Sequence, residues 1–283
     1  MSDKSFLLAG RPVQRMGFGA MQLPGRGVFG PPRDRDQALA VLRHAVEGGV
    51  NHIDTSQFYG PNVANELIHD ALHPYPADLV LVSKVGAARN ERGDWLPAQR
   101  PDELRKGVEE NLATLELDQV PVVNLRRHEG ADVPFGEQLD AMSALVAEGL
   151  IGGVGLSAVT LEEYRFAQSR VDVACVQNPY NLDDRSDQAV FDACRADGVP
   201  YVPFFPLGSA FSADNPVLGA PAVRAAAQRL GATPAQVALA WLLDLAPEVL
   251  LIPGTSSISH LEENMAAADI GLDSEARDLL GSG

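Results

Sequence analysis

Three side chains in two short segments could move a proton. Asp54 and Tyr59 both fall within Asp54-Thr55-Ser56-Gln57-Phe58-Tyr59-Gly60, and Lys84 follows a separate apolar run, Leu79–Ser83. A buried carboxylate and a buried ammonium are each costly unless paired, so an ion pair between Asp54 and Lys84 is expected. With nothing else present, the two would merely neutralise each other. Tyr59 adds a chemical use. A loop of this length can fold the phenol back to within reach of Lys84, and a neighbouring ammonium stabilises the phenolate and makes the phenol more acidic. Such a phenol can act as a general acid toward a carbonyl oxygen.

These residues need a frame that brings separated segments to one place, and the hydropathy pattern supplies it. Short β-branched runs alternate with longer segments whose apolar residues recur at helical spacing. After a hairpin turning at Gly10, the predicted strands are Met16–Ala20, a run ending at Asp54, Leu79–Ser83, Val120–Leu125, Ile151–Leu156, Ala174–Gln177, Tyr201–Phe204 and Val249–Ile252. Predicted helices follow them near 34–47, 62–72, 101–115, 134–148, 161–169, 186–197, 220–230, 234–243 and 257–268, with a short one at 274–280. Strands this short and uniformly apolar have no wet face, which implies a parallel sheet covered by helices. Eight strand–helix units favour one closed (β/α)8 TIM barrel over the whole chain, 1–283, preceded by a short N-terminal hairpin. Gly17-Phe18-Gly19-Ala20-Met21 lacks the spacing of a dinucleotide-binding fingerprint, which argues against an open doubly wound sheet.

In such a barrel chemistry sits where the strands end. Those positions are Gly19, Asp54, Lys84, Arg126, Ser157, Gln177, Phe204 and the Pro253–Ser257 loop, a polar set at the ends of apolar strands. Composition narrows the partners. With 22 basic and 38 acidic residues the formal charge is −16, which repels phosphate backbones and anionic lipid. Neither nucleic acid nor membrane is expected. No apolar run approaches the roughly 18–20 residues of a membrane span, and no signal-peptide pattern opens the chain, so the expected location is cytoplasmic. Cys175 and Cys194 read as buried structural thiols. His44, His69 and His73 read as solvated or capping residues, with no metal site expected, and Arg127 and His128 as a solvated loop.

The segments Gly17–Met21, NHIDTSQFYG (51–60), LVSK (81–84), GVGLS (153–157), VQN (176–178), FPLG (205–208) and IPGTSSISHLEEN (252–264) together resemble the aldo-keto reductase superfamily over nearly the whole chain. VVNLR, VQNPYN, YVPFFPLG, QVALAWLL and LLIPGTSS are most similar to its bacterial pyridoxal reductase branch. The resemblance implies hydride transfer between a nicotinamide cofactor and an aldehyde or ketone, with pyridoxal as the expected substrate. Alternatives are another aldehyde or keto sugar, or a nicotinamide-binding regulatory subunit with little catalysis. By the same resemblance Tyr59 protonates the carbonyl oxygen, Lys84 lowers its pKa and Asp54 holds Lys84. Gly19, Ala20 and Met21 belong to the cofactor surface, Ser157 and Gln177 hold the carboxamide, and Phe204 stacks on the ring. Leu207, Gly208 and Ser209 run along the pyrophosphate, and Gly254, Thr255, Ser256, His260, Glu263 and Asn264 meet the adenosine end. NADPH is the expected cofactor, with NADH as the alternative, and the protein is expected to be a monomer or weak homo-oligomer.

Three departures from the family pattern bear on function. The usual catalytic histidine of the fourth strand is replaced by Arg126, with His128 as the other claimant. An arginine there could polarise a carbonyl with its fixed charge. Ala158 stands where an asparagine is common, which removes one expected carboxamide contact. Gly254 and His260 replace a commonly basic pair, leaving the Thr255 and Ser256 hydroxyls, His260 and backbone amides to receive a 2′-phosphate. Phe29, Phe58 and Trp95 are the candidate substrate contacts on the mouth loops.

Overall fold

The computed structural model describes residues 4–281 apart from 129, 131 and 209–214. The chain opens with an antiparallel hairpin, β1 (Ser5–Leu8) and β2 (Arg11–Gln14). Then follow β3 (Phe18–Gly19), α1 (Arg35–Glu47), β4 (His52–Asp54), α2 (Val63–Leu72), β5 (Val80–Arg89), β6 (Trp95–Ala98) and α3 (Pro101–Leu115). The alternation continues through β7 (Val122–Arg126), α4 (Phe135–Ala147), β8 (Val154–Ser157), α5 (Leu161–Gln168), β9 (Val173–Gln177) and α6 (Gln188–Asp197). Helices α7 (Pro216–Gly219), α8 (Pro221–Leu230), α9 (Pro234–Leu245), α10 (Ile258–Ala266) and α11 (Ser274–Leu280) complete the chain.

Strands β3, β4, β5, β7, β8 and β9 pair in parallel in that order. Parallel bridges carry the ring onward from Val176 to Tyr201, from Tyr201 to Val249, and from Leu251 back to Met16. The segments around Tyr201 and Val249 are therefore the seventh and eighth staves of a closed (β/α)8 barrel. The hairpin closes its lower end, since Leu8 and Val13 pack with Val80, Val82, Val122, Cys175, Val202 and Leu250 in one apolar cluster. Helices cover the outside of the ring through two further clusters of buried residues.

Local chemistry explains where the helices begin. Asp34 caps α1 by accepting from the Gln37 amide at 3.0 Å, and Thr160–Glu163 and Thr233–Gln236 form reciprocal capping boxes on α5 and α9. Several predicted strand bounds shift, two of them for a visible reason. The first strand is shorter than Met16–Ala20, because Ala20 already begins a 3-10 turn, Ala20–Gln22. The third does not stop at Ser83. It runs to Arg89 because Gly86–Arg89 acquires an antiparallel partner, β6, on the mouth of the barrel.

Closure at the mouth depends on two glycines. A Cβ on Gly19 would lie 2.5 Å from the Ile252 carbonyl oxygen, and one on Gly254 would lie 2.5 Å from that of Gly19. Side chains there would push the first and eighth staves apart. Gly254→Ala is expected to cost about 1–3 kcal/mol as an overpacking substitution. It should appear as a lower urea midpoint at unchanged slope.

Candidate active site

In-register neighbours on parallel strands present their side chains to the same face. Gly19 pairs with Asp54, Lys84 with Asn124, Arg126 with Ser157, and Ser157 with Gln177. Registration thus turns a series of distant residues into one inward-facing arc. Above it opens a cavity of about 420 Å³ lined by Gly19, Met21, Asp54, Phe58, Tyr59, Lys84, Trp95, Arg126, Gln177, Phe204, Leu207, Gly208 and Gly254, among others.

Asp54 and Lys84 form the expected ion pair, both side chains nearly inaccessible to solvent. The ammonium also donates to the Thr55 carbonyl at 3.3 Å, and Gln177 Nε2 donates to the other oxygen of Asp54 at 2.9 Å. Lys84 Nζ lies 5.0 Å from the centre of the Tyr59 ring, close enough for the ammonium to act on the ionisation of the phenol. The loop therefore folds back as its length allows. Burial pulls the Lys84 pKa down, but the charge of Asp54, then that of Tyr59, more than offsets this and the net shift is upward. For Tyr59 burial is the larger influence and raises its pKa, with Lys84 pulling the other way. This corrects the expectation of a phenol simply made more acidic. Burial favours the protonated phenol, and the ammonium limits how far it suppresses ionisation.

A polar layer behind the pair fixes it. Thr55 Oγ1 donates to Asn65 Oδ1 at 2.8 Å, Asn65 Nδ2 to Asn111 Oδ1 at 2.9 Å, and Asn111 Nδ2 to Gln57 Oε1 at 3.1 Å. Ser83 Oγ joins at Asn111. Asn65 and Asn111 occupy core-facing positions on α2 and α3, among apolar neighbours. That misfit was the available signal for a network the sequence reading missed.

Arg126, and not His128, lines the cavity. Arg127 turns outward and is no solvated loop residue: its Nε reaches Glu163 Oε1 at 2.9 Å and its guanidinium lies over Phe135. Four buried polar atoms in the arc have no partner, Asn124 Nδ2, Arg126 Nε, Ser157 Oγ and Gln177 Oε1. Unsatisfied buried groups are rare and call for a ligand that satisfies them. Gln177 Oε1, at the cavity wall, suits the amide N–H of a planar group such as a nicotinamide carboxamide, and Ser157 is its in-register neighbour. Phe204, Leu207 and Gly208 line the wall beyond.

Other expected contacts sit apart. Ala20 and Ser157 are buried without lining the cavity, and Ser209 falls outside the described residues. Thr255, Ser256, His260 and Asn264 lie past Gly254, at and along α10; Thr255 and Asn264 are buried, Ser256 and His260 exposed. Glu263 accepts from the Thr233 hydroxyl, which gives it a role in fixing α9 to α10. Ala158 has φ of 57°, a left-handed conformation in which asparagine is tolerated better than alanine. Of the three candidate substrate contacts, Phe58 and Trp95 line the cavity and meet edge-on at 5.6 Å, whereas Phe29 does not. Phe29 instead supports Arg89, whose guanidinium lies 4.1 Å from the Trp95 ring centre and donates to the carbonyls of Gly27, Val28 and Gly93. Phe205 and Pro206 of the FPLG segment also line the cup, as do Gln22, Asn215 and Leu218, which escaped the sequence reading because such short turns and connections carry no periodic signal.

Away from the cup, His69 stands in the last turn of α2 and His73 at its C-cap. His69 and His73 stack at 4.8 Å, and their ligand atoms and that of Glu116 all lie within 4.8 Å of one another.

One buried and one half-buried group predict a pH signature. His52, beneath Asp54, is pushed down to about 4 by burial, against an unfolded value near 6.5. From pH 6.5 down to about 4 the unfolded chain binds the extra proton, so stability is lost as pH falls. Asp187 is pushed up to about 6 by burial, so between its unfolded value and pH 6 the folded state holds the extra proton and stability is lost as pH rises. The two oppose each other between pH 4 and 6. Asp187→Asn should therefore give a stability curve rising more steeply with pH than wild type in that window and parallel to it above pH 6, read by urea unfolding at fixed pH values.

Comparison with known proteins agrees with this geometry. The aldo/keto reductase family profile matches residues 15–280. The chain is 49% identical to pyridoxine 4-dehydrogenase of Escherichia coli K12, over 99% of this chain and 98% of that protein. Among solved structures, an aldo/keto reductase from Klebsiella pneumoniae in complex with NADP and acetate superposes with a TM-score of 0.82 at 28% identity, covering 98% of this chain and 94% of that one. A Klebsiella pneumoniae aldo-keto reductase in complex with NADPH gives 0.83 at 28% identity, covering 99% and 94%. Sequence, ring closure and the arrangement of Asp54, Tyr59 and Lys84 converge: the chain belongs to the aldo/keto reductase family.

Proposed function

We propose that this protein reduces an aldehyde to the alcohol with NADPH, and that pyridoxal is its leading substrate. The observation that carries the reading is the buried Asp54–Lys84 pair beside the buried Tyr59 ring, all three lining one largely apolar cup. Support for cofactor and substrate comes from the NADP- and NADPH-bound neighbours and from the relative named for pyridoxine oxidation. A bound reduced nicotinamide would supply the hydride. Ser157 and Gln177 would hold its carboxamide, Phe204 its ring, Leu207 and Gly208 its pyrophosphate, and Gly254, Thr255, Ser256, His260 and Asn264 its adenosine end.

The protein's own part is to place and move a proton. Tyr59 donates its hydroxyl proton to the carbonyl oxygen as negative charge develops there, and Lys84 stabilises the phenolate left behind. Asp54 keeps the ammonium in place, and Gln177 keeps Asp54 oriented. Arg126 adds fixed positive charge to the cavity wall. Phe58 and Trp95 exclude water from one side. All these groups come from one chain, so a monomer suffices, and the buried free thiols Cys175 and Cys194 suit a reducing, cytoplasmic setting.

The test is NADPH oxidation with pyridoxal and a panel of aldehydes and ketones. Turnover of pyridoxal well above the panel is expected. No carbonyl turned over above a Tyr59→Phe control rejects the enzymatic reading, and turnover of others without pyridoxal rejects only the substrate.

A further inference from the structure

We propose that Arg126 makes the cup a receptor for a carbonyl compound bearing an ionised oxygen beside the carbonyl, an ortho-hydroxyaryl aldehyde bound as its phenolate. The inference rests on the reductase reading above and specifies its substrate class.

Three charged side chains line the cavity, Asp54, Lys84 and Arg126. Asp54 and Lys84 cancel each other, and the second oxygen of Asp54 is taken by Gln177. Arg126 forms no ion pair with a carboxylate among the described residues, although its neighbour Arg127 is paired with Glu163. Arg126 Nε is buried with no hydrogen-bond partner. The cup thus keeps one surplus positive charge in a chain whose net charge is −16. The guanidinium is half-buried with an inaccessible, unpartnered Nε, and an entering anion gives it the counter-ion the cup lacks.

Register fixes where the anion must be. Lys84 pairs with Asn124, two residues before Arg126, so Arg126 stands one strand over and about 7 Å nearer the mouth. A carbonyl oxygen receiving the Tyr59 proton lies beside Lys84, and a group reaching Arg126 must then be a close substituent of the same molecule. The remaining wall is flat and apolar, with Phe58, Trp95 and Phe204 offering ring faces and edges. An aromatic ring with phenolate and aldehyde on adjacent carbons meets all three demands, the phenolate taking charge-assisted hydrogen bonds from the guanidinium.

The experiment compares 2-hydroxy-5-nitrobenzaldehyde, whose nitro group keeps the phenol ionised at neutral pH, with 2-methoxy-5-nitrobenzaldehyde, which cannot ionise. With NADPH, wild type should favour the phenolate in kcat/KM by on the order of 10–100-fold, as a hydrogen bond to a charged group implies. Arg126→Met should bring the ratio near unity, and Arg126→Lys should retain part of it. Equal rates in wild type, or a preference kept in Arg126→Met, overturns the proposal. So does a raised KM for NADPH in Arg126→Met with the preference intact, which would assign the guanidinium to the cofactor's phosphates. A second readout needs no turnover: 2-hydroxy-5-nitrobenzyl alcohol is bound to the NADP-loaded protein and its nitrophenolate band followed against pH. Wild type should lower the pKa of the bound phenol and Arg126→Met should not, and an unshifted phenol in wild type overturns the proposal. That shift without reduction of any aldehyde would sustain the anion site while rejecting the reductase reading.

Discussion

Tyr59→Phe is expected to slow hydride transfer by about three orders of magnitude, within the 10²–10⁴ range typical of a positioned general acid. The substitution keeps the ring and its edge-on contact with Phe58 at 5.3 Å, so the walls of the cup should be unchanged. Lys84 retains Asp54 and the Thr55 carbonyl as acceptors, and stability should fall little. Single-turnover absorbance of bound NADPH, measured beside its dissociation constant, separates chemistry from binding. A variant that keeps a tenth of the wild-type rate would show that the proton comes from elsewhere.

The second large effect concerns folding as much as catalysis. Removing one member of a buried ion pair strands the other charge, at a cost of about 3–5 kcal/mol. Lys84→Met should incur that loss by leaving Asp54 unpaired, and Asp54→Asn by leaving Lys84. The double variant replaces both charges with neutral groups and should recover most of the stability. Activity should not return, since nothing then stabilises a Tyr59 phenolate. Urea midpoints of the four proteins form a double-mutant cycle whose coupling term should be large. A double variant as unstable as the sum of the singles would mean that the two charges do not depend on each other.

The barrel was legible because its alternating periods are strong, and because Asp54, Lys84 and Gln177 are polar residues ending apolar runs. The β5–β6 hairpin was not. Gly86-Ala87-Ala88 has no β-branched residue, and Trp95-Leu96-Pro97-Ala98 contains a proline that only an edge strand tolerates. The direction of the Tyr59 shift was equally hidden, because the sequence displays the neighbouring ammonium but not the depth of burial that outweighs it. The grip of Arg89 on three backbone carbonyls joins loops distant in sequence, and no local pattern encodes it. Arg126 was readable as the strand-end residue, while its lack of a carboxylate partner required the packed neighbours.

The ring is unevenly knit. From β4 through β9 multi-residue ladders join the staves, whereas Tyr201, Val249 and Leu251 are attached by single bridges. The eighth stave is the looser, held by two backbone hydrogen bonds on each side, and fewer hydrogen bonds mean a smaller free energy for local opening. Asp54, Lys84, Arg126 and Gln177 all stand on the tightly laddered arc, and Phe204–Gly208 and Pro253–Ser257 extend from the looser one. Admission of a long ligand can therefore be accommodated by parting one side of the vessel while the proton-handling groups keep their spacing on the other.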